Sequence, residues 1–138
     1  MKLSTPGLQL ELLPLRQADD EQWCRVQVRA AVRGFEANYE AWLQTADLEL
    51  FKNEIAALYR DVGQPGVATL ASAELDIKVT LTMQTLGGIE GSYRFQSEQR
   101  DGGATKLSGT FELDQSFLPE LCASIDTLLN ELQTKNAP

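Results

Sequence analysis

The chain predicts an α+β fold in two layers, an antiparallel β-sheet of about six or seven strands with two amphipathic helices on one face. Three observations carry that expectation. Most segments alternate apolar and polar residues, two segments repeat at the helical period, and the strands are joined by connections of hairpin length. With 138 residues, 43% of them hydrophobic and 23% charged, the chain has the size and composition of one folded domain spanning 1–138.

The first strand is read from Leu8, Leu10 and Leu12, which alternate with Gln9 and Glu11, and Pro14 is expected to close it. Asp19, Asp20 and Glu21 form an acidic lead-in to the next strand. From Cys24 to Val32, apolar positions alternate with Arg25, Gln27, Arg29, Ala31 and Arg33, and the β-branched content argues against a helix. After Gly34 the alternation resumes with Phe35, Ala37, Tyr39, Ala41 and Leu43 on one side and Glu36, Asn38, Glu40 and Trp42 on the other. A two-residue turn at Arg33-Gly34 sets Val32 against Phe35, Val28 against Tyr39, Gln27 against Glu40 and Arg25 against Trp42, which brings both apolar faces together. The arginines then have Glu36 and Glu40 as diagonal neighbours, and the plainest account of the row is a solvated face of weak ion pairs.

The period changes at Thr45. Leu48, Phe51, Ile55, Leu58, Tyr59 and Val62 fall at helical spacing, with Thr45 or Asp47 as the cap and Gly63 as the stop. Beyond Gln64-Pro65-Gly66, a short apolar run through Leu70 and the alternation of Leu75, Ile77, Val79, Leu81 and Met83 predict two strands. Gly87-Gly88 turns the chain into Gly91, Tyr93 and Phe95, and a three-residue loop with a glycine bulge is expected to pair Met83 with Tyr93 and Leu81 with Phe95. A loop at Arg100-Asp101-Gly102-Gly103 precedes the last strand, marked by Leu107, Gly109, Phe111 and Leu113. Asp114 or Ser116 then caps a helix that turns Leu118, Leu121, Cys122, Ile125, Leu128, Leu129 and Leu132 inward, with Pro119 in its first turn. The sheet face away from the helices, bearing Arg25, Arg29, Glu36, Glu40, Lys78, Thr80 and Arg94, is expected to meet water or a partner.

Little in the chain points to catalysis. It has no histidine, which removes the commonest general base and the commonest metal ligand. Its two cysteines, Cys24 and Cys122, lie on apolar faces as core residues do, and no zinc or calcium spacing is present. The glycine-rich stretches at 87–91 and 101–106 lack either phosphate-loop pattern and read as turns. No catalytic, cofactor-binding or metal-binding residue is assigned, and no cofactor is expected. Twenty acidic against twelve basic residues give a net charge of −8, which disfavours nucleic acid and anionic membrane and favours a basic protein partner. The N-terminal MKLSTPGLQLELLPL contains no sustained apolar run, so a cytoplasmic location is expected. The candidate partner-binding residues are Asp19, Asp20, Glu21, Trp23, Arg25, Glu36, Glu40, Trp42, Glu98 and Asp101, because tryptophan and arginine dominate interface hot spots and acidic loops steer basic partners.

Several segments, in order along nearly the whole chain, resemble the WapI-type immunity proteins: the acidic residues before Gln22-Trp23 and its alternating strand, then DLELFKNEIAAL, SAELDIKVTLTM, GGIEGSYRF and FELDQSFLPEL. The resemblance implies an intracellular antidote that binds the C-terminal domain of a polymorphic toxin, often a nuclease, and has no activity of its own. It transfers no site residue. The alternative is a non-catalytic interaction or small-ligand-binding α+β domain with another partner.

Overall fold

The computed structural model describes residues 1–74, 76–98 and 102–133, apart from the Glu98 side chain. Among these residues, eight strands and two long helices follow the order β1 (Lys2–Thr5), β2 (Leu8–Arg16), β3 (Trp23–Val32), β4 (Phe35–Gln44), α1 (Thr45–Arg60), β5 (Gly66–Ala71), β6 (Ile77–Met83), β7 (Gly88–Glu98), β8 (Ala104–Asp114) and α2 (Leu118–Gln133). The fold is α+β, but the strands form two antiparallel four-stranded sheets, β1-β2-β3-β4 and β5-β6-β7-β8, in place of the single sheet expected. The sequence held no signal of this division, because α1 separates the two strand groups and period alone does not say whether the chain rejoins the same sheet. Arg25, Arg29, Glu36 and Glu40 therefore stand on the outer face of one sheet, and Lys78, Thr80 and Arg94 on that of the other.

Each sheet turns one apolar face to a shared core. Leu10, Val26, Val28 and Leu43 from the first, Leu70, Val79, Leu81 and Phe95 from the second, and Phe51, Ile55, Ile125 and Leu132 from the helices are all buried in it. The helices also protect sheet edges. Ser124 on α2 accepts the Lys2 N–H at 2.9 Å and donates to its carbonyl at 3.2 Å, while Glu54 on α1 accepts the Thr69 N–H of β5 at 3.0 Å. Such contacts occupy edge groups that would otherwise invite another strand. Between the sheets, the Tyr39 hydroxyl donates to the Asp76 carbonyl at 2.5 Å, and burial with the nearby Asp76 carboxylate pushes the phenol's pKa up.

The β3–β4 register is as expected in every pair, from Val32 with Phe35 to Arg25 with Trp42. Elsewhere the expectations need correction. β1 has no counterpart among the predicted strands, and β2 runs through Pro14 to Arg16, with a register shift between those residues that accommodates the missing N–H. At α1 the N-cap is Gln44, whose N–H is accepted by Asp47 at 2.9 Å, so Asp47 supports the cap from inside the helix. Tyr59 and Val62 are exposed, not inward. The Gly87 N–H closes the β6–β7 turn on the Gln84 carbonyl at 3.0 Å with Gly87 at φ 86°, but Met83 faces Ile89 and Leu81 faces Gly91. The observed pairing differs from the expected one by an even number of residues, which keeps the apolar phase either way. Leu75, Arg100 and Asp101 lie outside the described residues.

Cys24 and Cys122 are free; Cys24 is buried, with its thiol donating to the Leu43 carbonyl at 3.2 Å, and Cys122 is half-buried. Burial, reinforced by Asp47 and Asp19, pushes the Cys24 thiol from 9.0 to about 11. The unfolded chain therefore releases this proton near pH 9 while the folded protein keeps it, and stability falls as pH rises from 9 toward 11. The loss approaches about 3 kcal/mol, with Tyr39 acting in the same direction. Denaturant midpoints measured across that range should decline, and less steeply in Cys24→Ala; a flat profile in the parent protein would contradict the burial argument.

Candidate functional site

The outer face of the first sheet carries the residues best suited to a macromolecular contact. On strands β3 and β4, Trp23, Arg25 and Gln27 alternate outward on one and Glu40, Trp42 and Gln44 on the other, and their pairing places Arg25 directly beside Trp42. The bulge in β2 brings a further residue to this row, because Arg16 pairs with Arg25. Both guanidinium groups lie over the Trp42 ring, Arg25 at 5.5 Å and Arg16 at 6.0 Å from its centre. Such stacking holds the indole in place and contributes on the order of 0.5–1 kcal/mol per pair at a half-exposed site. Arg25 also pairs with Glu40, its diagonal neighbour; both side chains are more than two-fifths exposed, so the pair shapes the surface more than it stabilises the fold.

The acidic loop sits at one end of this row, and it is built rather than loose. The Asp19 carboxylate accepts the N–H groups of Glu21 and Trp23 at 2.9 and 3.0 Å, and Gln22 adopts a left-handed conformation with φ 66°. The Gln44 side chain donates to the Glu21 carbonyl at 3.2 Å, and the Thr45 N–H to the Gln22 carbonyl at 3.1 Å. Asp19 therefore shapes the loop, while Asp20 and Glu21 project from it, exposed.

The structure thus joins Asp19, Asp20, Glu21, Trp23, Arg25, Glu40 and Trp42 into one region. Glu36 lies apart: it is on the same face but three outward positions from Trp42 along β4, on the order of 20 Å away. There it borders a depression of about 380 Å³ with Gln9, Glu11 and Arg29. Glu98 ends β7, on the other sheet, and Asp101 lies outside the described residues. Arg16 escapes a reading in which Pro14 closes its strand; an X-Pro step inside an otherwise alternating run signals a bulge as well as a stop.

A second cleft, of about 410 Å³, opens between Phe35–Tyr39 of the first sheet and Phe95, Ser97, Thr105, Lys106 and Leu107 of the second. Among the described residues, no three His, Cys, Asp or Glu side chains are grouped to hold a metal ion. No helix among them is long and apolar enough to cross a membrane.

No curated protein matches the chain. Among solved structures, the crystal structure of WHY1 from Arabidopsis thaliana is similar, with a TM-score of 0.44 and 11% sequence identity, covering 96% of this chain and 88% of that one. The profile of the Immunity protein WapI-like family matches residues 2–133, nearly the whole chain. The match spans the segments whose order resembles that family in the sequence, and the chain belongs to the WapI-like family of immunity proteins.

Proposed function

We propose that the protein neutralises a cognate toxin domain by covering it, through the Trp42 face of the first sheet and the adjoining Asp20-Glu21 loop. One observation carries this reading: two tryptophans, two stacked arginines and an acidic loop converge on one sheet face that neither helix covers. Family membership supplies the class of partner. The net charge of −8 favours a basic domain, such as that of a nuclease, delivered by contact or secretion and met in the cytoplasm. The protein acts by occlusion and not by turnover, consistent with a chain that has no histidine.

Co-expression with its cognate toxin domain should rescue growth and allow the two to be purified together. Charge reversal of the loop gives a sharper test. Asp20→Lys combined with Glu21→Lys should slow association by about tenfold at low salt and flatten its salt dependence, with the melting temperature unchanged. Asp19 is left intact because its carboxylate holds the loop. Association rates equal to those of the parent protein would place the contact elsewhere.

A further inference from the structure

The outer face of the second sheet is patterned along two axes. Thr69, Thr80, Ser92 and Thr110 are register partners across β5, β6, β7 and β8, so a row of hydroxyl side chains crosses the whole sheet. On one side of it stand Lys78 and Arg94, themselves paired, and one step further Lys106 opposite Gln96. On the other side stand Glu90 and Glu112, also paired, and one step further Asp114 opposite Gly88. Three cations balance three carboxylates, although the chain as a whole carries −8. Asp76, ahead of β6, lies at the rim beside the last cation. Ser92, Thr110, Lys78, Lys106, Glu90, Glu112 and Asp114 are exposed and Arg94 is half-buried, so neither helix covers this face.

We propose that this face joins two copies of the chain, related by a two-fold axis that runs along the hydroxyl row. Rotation about that axis keeps each strand at its place along the row and exchanges the two sides. Arg94 then meets Glu90 of the second copy and Lys106 meets Asp114 of the second copy, and each pair occurs twice, as an isologous contact requires. Lys78 meets the Thr82 hydroxyl, and the hydroxyl rows meet one another. Facing twisted sheets are offset by about 30°, which displaces outer strands most. The Arg94–Glu90 pair, on the inner strand β7, is therefore decisive. For an acidic protein, a face of balanced charge also lets a second copy approach without like-charge repulsion at the contact.

Four strands ~4.8 Å apart and five outward rows ~7 Å apart outline roughly 500 Å² per copy. A standard interface takes about 800 Å² per partner, and polar pairs dominate this one. The dimer is consequently weak and concentration-dependent, and it leaves the Trp42 face on the other sheet free for a toxin.

Sedimentation equilibrium of the full chain, from about 10 µM to about 1 mM, should show reversible dimerisation. Glu90→Arg and Arg94→Glu should each weaken it at least tenfold, since each sets like charges against each other across the axis. Mixed in equal amounts, the two variants should associate at least as well as the parent protein, because every pair between them is then of opposite sign. If Arg94→Glu fails to fold, Glu90→Arg at its exposed site still decides, by losing the dimer while keeping its melting temperature. A parent protein that stays monomeric throughout, a Glu90→Arg variant that dimerises as well as the parent, or a mixture that associates no better than its components would overturn the proposal.

Discussion

Gly91→Val is expected to cost about 3 kcal/mol of stability and to lower the melting temperature by roughly 10 °C. Gly91 faces the core from β7 directly opposite Phe111 on β8, and two residues further on Tyr93 stands directly opposite Gly109. Each aromatic ring lies over the glycine that faces it. A Cβ at Gly91 would fall under 3.0 Å from three ring atoms of Phe111, and one at Gly109 under 3.0 Å from two atoms of the Tyr93 phenol. The Phe111 ring has little room to retreat, because Tyr93 lies 6.1 Å from it and is itself stacked on Phe95 at 5.4 Å. Valine has the better strand propensity, but that gain is at most about 1 kcal/mol, so the steric conflict prevails. Denaturant melts of Gly91→Val, Phe111→Ala and the double variant measure the coupling: the double should be more stable than the sum of the singles by about 1 kcal/mol or more. A Gly91→Val protein as stable as the parent would mean that the ring is free to move.

Trp42→Ala is expected to weaken toxin binding by about 2 kcal/mol, or roughly 30-fold in Kd, and to reduce growth rescue accordingly. Preorganisation is the reason. Trp42 is half-buried on an outer sheet face, pinned by Arg16 and Arg25, and would lose little freedom when a partner covers it. Truncation also releases both arginines, so Arg16→Ala should weaken binding by a smaller amount through the same ring. Because the side chain lies outside the core, folding should be preserved, and melting curves check this. Parent-like affinity in Trp42→Ala would exclude this face as the centre of the contact, whatever the loop variants show.

Apart from the four-residue β1, local structure was legible where one face of a segment is buried and the other wet. The β3–β4 hairpin could be read pair by pair because Arg33-Gly34 fixes the turn and Gly34, at φ 86°, adopts the conformation that turn needs. Both helices were legible from their apolar spacing. The candidate site was legible in part: Trp23, Arg25, Glu40 and Trp42 follow from strand phase and hairpin register alone. Arg16 was not, since its place depends on a bulge at Pro14, and neither was the separation of Glu36 from the tryptophans, which depends on distance along a strand. The structural role of Asp19 was hidden too, because an acidic residue that binds backbone N–H groups looks the same in sequence as one that faces a partner.

By itself the amino-acid sequence determined most of the segments and of their inward and outward faces, the acidic balance and the resemblance to an immunity family, because these depend on residue type, period and short turns. Only the tertiary structure decided that the strands divide into two sheets, that Arg16 joins Arg25 on Trp42, and that the hydroxyl row of the second sheet separates cations from carboxylates. Those are relations between segments far apart in the chain. They arise from register and from which edge each helix covers, and local periodicity is unchanged when either one is altered.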